Sequence, residues 1–533
     1  MTPFALADDV EAASSPFAGA QYDRWWPWVA PAIAVTISVV GTVVGWRGVD
    51  LAAQVYRVEL FHRVGPTWWD SQWYGGHWTA DYSVLFPPVA ATLGLAVTAT
   101  LSAAAAALAF DRLVVGSFGA RARAGTVLFA VGTMQQLAIG QLAFLTAEAL
   151  GLCACWAGTR GRKELAAGLA VACALCSPLA GSFLGLAALA WLIGGRREDR
   201  GVATGVLVGA LAPIAVVTLT FGRQGAFPYP FGDFAFELSA ALVMFLVVPR
   251  RYPVLRAGAA LYVVATIASF VLQTPMGGNV GRLGECVAIP LGACILWPRR
   301  WAVLVALAVP MALWQWGPAW GAISNRNAAQ ASAHRAYYAP LLGFLAANDA
   351  TTGRVEVVPT KLHWEAAYVA PAVPLARGWE RQLDVAANPL FYARRLDAST
   401  YHAWLVAAGV RFVALPDAPL DYAATAEARL VGGGVPGLRP VWRSAHWTVY
   451  AVAGSPGIVS GPARLVRMSG GNVELDVTGA GTVVLRIRDN GHWSVTRGSA
   501  CLAPDGVSTA LVGARPGPVD LRVGLGRHPV DTC

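Results

Sequence analysis

The chain has 533 residues, is 56% hydrophobic and 13% charged, and carries a net charge of +9 with a mean hydropathy of +0.50. Soluble domains hold about 25% charged residues, so much of this chain belongs in a less polar solvent than water. The positive charge does not indicate a nucleic-acid partner, because its arginines sit in short clusters between apolar runs and form no basic face with interleaved aromatics.

Residues 1–27 are polar, with Asp8, Asp9 and Glu11 but no basic start. No small-residue cleavage site follows the first apolar run, so that run reads as a retained anchor and the tail before it as cytoplasmic. Apolar segments then recur from Trp28 to Trp316. Arginine-rich turns mark the cytoplasmic side: Arg112, Arg121 and Arg123; Arg160, Arg162 and Lys163; Arg196, Arg197 and Arg200; Arg250, Arg251 and Arg256; Arg299 and Arg300. Arg47, Arg57, Arg63, Arg223 and Arg282 lie in the opposite loops, and Arg24 alone faces the first of these. Two cytoplasmic turns, near Arg121 and Arg160, require a reversal between them, and the polar "TMQQLAIGQ" at Thr133–Gln141 supplies it. Ser177-Pro178 breaks the next long run, as proline does. Eleven spans result, ending near Pro318, in a membrane domain of residues 28–318.

Between the first two spans lie the helical stretch "LAAQVYRVELFHRV" and the aromatic loop "TWWDSQWYGGHWTADYSVLFPP", Thr67–Pro88. Asp50 stands at the membrane edge ahead of the helix. An acid there is either a general base, its pKa raised by partial burial, or a helix N-cap. Trp68, Trp69, Trp73, Tyr74 and Trp78 fit an interfacial aromatic belt. Mixed with Glu59, His77 and Asp81 they also fit a sugar site, with ring faces for C–H surfaces and polar groups for hydroxyls. Gly75-Gly76 permits positive φ or close backbone approach. His62, Asp70, His77 and Asp81 include ligand types for a divalent ion such as Mg or Mn, with Asp70 and His77 the best placed, although their spacing matches no compact motif.

Glu148 lies inside a span, where an acid is costly enough to suggest function, or else near a cytoplasmic end. "FPYPFGDFAF" at Phe227–Phe236 lines a lipid path or sits among headgroups. In "QTPMGGNVGRL", Gln273–Leu283, Asn279 and Arg282 are candidates to hold a lipid phosphate, Arg282 otherwise snorkelling to the interface. Cys153, Cys155, Cys173, Cys176, Cys286 and Cys294 fall in or beside apolar segments and read as packing residues.

From about Ala319 the composition becomes soluble. Residues 319–455 read as an α/β unit, with "TYHAWLVAAGV" as helix and "RFVALP" as the strand after it. Residues 456–533 alternate with glycine punctuation, as in "NVELDVTG", "GTVVLRIRD" and "PVDLRVGLG", and read as a β-sandwich or barrel. Cys501 and Cys533, the two cysteines of this polar region, make a disulfide if the compartment is oxidising.

An acid after the first span, a long outer loop ending "YSVLFPP", the segment "GQLAFL" at Gly140–Leu145, the turn "GGNVGRL" and a soluble C-terminal region together resemble the GT-C glycosyltransferases. Their actinobacterial mannosyl- and arabinofuranosyltransferases are the most similar branches. The resemblance covers roughly residues 28–320. It implies a multi-pass plasma-membrane enzyme with its C-terminal region outside the cytoplasm. It also implies inverting transfer from a polyprenyl-phosphate sugar to a cell-envelope glycan or glycolipid, with no nucleotide sugar. Asp50 would be the base, Asp70 or Glu59 a second acid, and Arg282 and Arg57 would meet the leaving phosphate. No adjacent Asp-Glu pair follows the first span as in some branches, which leaves a divalent cation open, and the stretch His363–Asp384 faces the acceptor by analogy alone. Two other classes fit a polytopic chain: a transporter or flippase of envelope precursors, although no inverted repeat is visible, and a non-catalytic glycan-binding scaffold.

Overall fold

The computed structural model describes residues 25–222, 225–393 and 395–525; Arg24, Arg223, Cys533 and the polar tail before residue 25 lie outside them. Helix α1 (Val29–Val44) leads through Gly45, in the left-handed region, to α2 (Leu51–Val64). After the aromatic loop come α3 (Phe86–Leu93), α4 (Leu95–Phe118), α5 (Arg123–Ile139), α6 (Leu142–Thr159), α7 (Lys163–Cys176), α8 (Pro178–Gly194) and α9 (Arg200–Phe221). Then follow α10 (Phe231–Val247), α11 (Pro253–Val271), α12 (Gly281–Leu296) and α13 (Trp301–Ile323). All five arginine clusters fall at or beside alternate turns of this bundle, from α4–α5 to α12–α13.

Among the described residues seven stretches are long and apolar enough to cross a membrane, and the 45-residue stretch Leu95–Ile139 holds two helices, α4 and α5. The chain is therefore built as a polytopic membrane protein. Eleven spans exceed that number because α7, α8 and α10 have only 14, 17 and 17 residues, short of the ~20 an untilted crossing needs. The reversals come where proline and glycine allow them, at Gly140-Gln141 and at Ser177-Pro178. Fully buried alanines such as Ala34, Ala103, Ala106 and Ala107 let α1 and α4 approach closely, the way small residues pack helices in lipid.

Beyond α13, α14 (Arg335–Ala347) and a mixed sheet form an α/β unit. Its strands are β3 (Arg354–Val357), β4 (Val410–Pro416), β5 (Leu438–Arg443) and β6 (Trp447–Val452). Their order is β3-β4-β6-β5, with only β3 and β4 parallel. One face packs on α15 (Ala398–Ala407) and α16 (Thr425–Gly433), through Tyr401, Leu405 and Val431. The other face packs on α14 and, unexpectedly, on α2, whose Ala52, Ala53, Tyr56 and Leu60 share a core with Val355, Phe412 and Val449. Eight further strands follow: β7 (Val459–Ser460), β8 (Ala463–Ser469), β9 (Asn472–Val477), β10 (Gly481–Arg488), β11 (Trp493–Arg497), β12 (Cys501–Asp505), β13 (Ser508–Ala514) and β14 (Gly517–Val523). They make two antiparallel four-stranded sheets, β12-β13-β10-β7 and β11-β14-β9-β8. In "NVELDV" the even-spaced Val473, Leu475 and Val477 turn inward, as alternation dictates. Cys501 is disulfide-bonded, whereas the six cysteines of the helical region are free thiols.

Candidate active site

The aromatic loop is two short strands, β1 (Trp69–Asp70) and β2 (His77–Trp78), paired so that Trp69 faces Trp78 and Asp70 faces His77. Its side chains divide between the two soluble units. Trp69 and Trp78 enter the sandwich core beside Trp493, and Trp73 and Tyr74 enter the α/β core. Trp73, wholly buried, stacks on Tyr56 at 4.2 Å and on His77 at 5.6 Å. The hydroxyl of Tyr74 donates to the Glu380 carbonyl at 3.1 Å. Trp69, Trp73, Tyr74 and His77 thus offer no open ring face to a sugar. They are burial anchors, because cores more than 250 residues downstream close over them.

Asp70 is also fully buried. Its two oxygens accept from the Tyr56 hydroxyl at 2.7 Å and from the Gln72 amide at 3.1 Å. Burial raises its carboxyl above the ordinary range despite those bonds. In this setting Asp70 orders the loop and reaches no acceptor. Burial, with Arg57 nearby, pushes His77 down to about 3, leaving it neutral. A metal at Asp70 and His77 does not fit, since both Asp70 oxygens are occupied and no three His, Cys, Asp or Glu side chains converge among the described residues. Glu59 projects from the exposed side of α2 toward Arg63, 4.0 Å away, outside any cluster. Asp81 is half-buried next to Tyr82.

Asp50 occupies the N-cap position of α2, yet its side chain makes no capping hydrogen bond. The backbone explains its placement: its amide donates to the Ile139 carbonyl at 3.0 Å, docking the start of α2 on the α5–α6 reversal. Gly140, at φ +88, makes that contact possible, since a Cβ there would lie 2.6 Å from the Leu51 amide nitrogen. The freed carboxylate stands 3.8 Å from Arg282 Nη2, both side chains about one-quarter exposed. Arg282 is fixed at the start of α12 by the Gly277–Val280 turn that carries Asn279.

Around this pair the structure gathers residues that sequence reasoning did not single out. Tyr82 accepts from Gln54 Nε2 at 2.5 Å and lies under the Arg57 guanidinium, 3.5 Å from ring centre to Cζ. Burial raises the Tyr82 phenol, with Arg57, Asp50 and Arg282 all acting on it electrostatically. Arg57, expected at a phosphate, is instead held by Glu380 at 2.7 Å, although its Nη1 has no hydrogen-bond partner among the described residues. One turn below Arg282, Glu285 accepts from Gln135 at 2.7 Å, and Gln315 donates to the Gln135 side chain at 3.0 Å. Glu148, for its part, accepts from Gln136 at 2.8 Å. The intramembrane acid is thus paired within a buried amide–carboxylate cluster near the Asp50 end of the bundle. The Gln135-Gln136 pair inside an apolar run was the available signal for it; Glu380 had none.

No family model and no curated protein matches this chain. Among solved structures, it is similar to two single-particle cryo-EM structures of arabinofuranosyltransferase AftD from mycobacteria, one of them a mutant. Identity is 17% in both cases and the TM-scores are 0.43 and, for the mutant, 0.45. The match covers 86% of this chain but 41% and 43% of those chains, so the chain spans less than half their length.

Proposed function

We propose that this chain is a membrane glycosyltransferase of the GT-C type. It moves a sugar from a polyprenyl-phosphate donor to a hydroxyl of a cell-envelope glycan or glycolipid, with inversion, at the outer face of the plasma membrane. The observation that carries this reading is the Asp50–Arg282 pair: a carboxylate left free by an uncapped helix, 3.8 Å from a guanidinium, at the membrane end of α2 and α12. A base beside a cation matches displacement at an anomeric carbon. The acceptor oxygen forms its bond to that carbon while its proton passes to Asp50. The bond to the donor phosphate breaks with its electron pair on oxygen, and Arg282 meets the charge, as a fork matched to phosphate does. Gln54, Tyr82 and Asn279 would line the approach.

The test is transfer by the purified chain in lipid, offered polyprenyl-phosphate mannose, arabinose and glucose with envelope acceptors. Transfer by the wild type and its loss in Asp50→Asn support the reading. Equal transfer by both would remove Asp50 from the chemistry, and no transfer from any donor to any acceptor would favour a transporter or scaffold.

A further inference from the structure

At the tip of the aromatic loop, Gly75 lies against three arginine residues, Arg354, Arg486 and Arg488. Arg488 donates from its backbone amide to the Gly75 carbonyl and from Nε to the Tyr74 carbonyl, both at 2.8 Å. Arg354, on β3, is 1% exposed. Its Nη1 donates to the Ala408 carbonyl at 2.8 Å, but Nε and Nη2 have no hydrogen-bond partner among the described residues. Arg486, two residues before Arg488 on the same strand, brings its backbone carbonyl near Gly75, and its Nη1 donates to Ser460 Oγ at 3.1 Å and to the Gly457 carbonyl at 3.4 Å. Among the described residues no carboxylate comes within ion-pair distance of any of the three, although Asp505 acts electrostatically on Arg486.

A buried guanidinium with two idle nitrogens is costly unless a counter-charge meets it. Burial, then Arg488 and Arg486, push Arg354 down to about 9, the mark of positive charge packed without compensation. Gly75 lies close to the idle fork: a Cβ on it would stand in ordinary contact, 3.6 Å from Arg354 Nη2 and 3.8 Å from the Arg486 carbonyl. Its φ of +76 favours glycine.

We propose that Arg354, Arg486 and Arg488, gathered around Gly75 where the loop meets both soluble units, bind an oxyanion, the phosphoryl or carboxylate group of a ligand. Planar guanidinium forks suit both groups through paired N–H donors. The site does not depend on the transfer chemistry proposed for Asp50, and it lies on different elements from Arg282.

The test titrates the full chain in detergent with inorganic phosphate and, separately, glucuronate, against chloride at equal ionic strength. The readouts are the melting temperature and calorimetric binding. Wild type should show a saturable rise with at least one anion, as ligand linkage requires. Phosphate alone identifies a phosphoryl ligand, and glucuronate alone a carboxylate. Arg354→Gln and Arg486→Gln should each weaken binding about tenfold or more, and the half-buried Arg486 serves if Arg354→Gln fails to fold. Saturable binding that persists in Arg282→Gln separates this site from the donor phosphate. Binding unchanged in Arg486→Gln, binding lost only in Arg282→Gln, or no saturable effect of either anion would overturn the proposal.

Discussion

Arg57 and Glu380 are 323 residues apart in sequence and meet at 2.7 Å, with side chains 8% and 5% exposed. The pair ties α2, at the membrane edge, to the α/β unit, and it sets the guanidinium over Tyr82. Breaking one half of a buried pair strands the other charge, at about 3–5 kcal/mol. Arg57→Met and Glu380→Leu should each lower the melting temperature sharply, and the double variant should recover much of the loss. Strictly additive effects in thermal denaturation would show that the pair is not a unit.

The loop makes a second link, through Trp69 and Gly76. A Cβ on Gly76 would overlap the Trp69 ring, and φ at Gly76 is +127. Gly76→Ala should therefore dislodge Trp69 from the sandwich core, and Trp69→Ala should cost about 3–5 kcal/mol through the cavity it leaves. Proteolysis of the C-terminal sheets should quicken in both. Unchanged protection would mean that the sandwich holds without its plug.

Most elements were legible because their periodicity is local. The strands around Val473–Val477 alternate, the helix after Asp50 repeats every three to four residues, and Gly140 and Ser177-Pro178 punctuate the bundle. The aromatic loop was not legible, since the groups that bury it come from elsewhere: Ser71 Oγ donates to the Gly470 carbonyl 399 residues away. Composition alone does not distinguish an aromatic ring that waits for a sugar from one that waits for a distant sheet. The span count suffered from a related ambiguity, because α7 and α8 are apolar but short, and hydropathy reads apolarity before length.

Two histidines should shape the pH dependence of stability in opposite directions. Burial disfavours a charged His363, but hydrogen bonds to Asp421 and Glu365 outweigh it and raise its pKa above 6.5. Its stabilisation is fully present below pH 6.5 and is lost as pH rises through the folded value. His77, lowered to about 3, acts in the other direction: its contribution is present above 6.5 and is lost as pH falls toward 3, on the order of 5 kcal/mol at most. Melting curves should therefore peak near pH 6.5. His363→Gln should flatten the alkaline limb, and His77→Phe, which keeps the stack on Trp73, the acid limb. Slopes unmoved by either change would place the titrating groups elsewhere.

Asp50 and Arg282 yield the sharpest kinetic expectation, because neither is committed to holding the fold together. Asp50 makes no side-chain cap bond to α2, and its contact with Arg282 is 3.8 Å between partly exposed groups. Asp50→Asn should leave the melting temperature within the range of an ordinary surface change, about 0.5 kcal/mol. If Asp50 takes the acceptor proton, kcat should fall about 10²- to 10⁴-fold. Arg282→Gln should instead raise KM for the lipid-linked donor and lower kcat together, since a phosphate contact strengthens as charge develops on the leaving oxygen. Arg282→Lys should recover part of that loss, keeping the charge without the fork. Donor titrations at saturating acceptor measure both constants. A loss confined to acceptor KM would mean that the pair binds the acceptor rather than driving its reaction, and a large drop in stability in Asp50→Asn would mean that the carboxylate is structural after all.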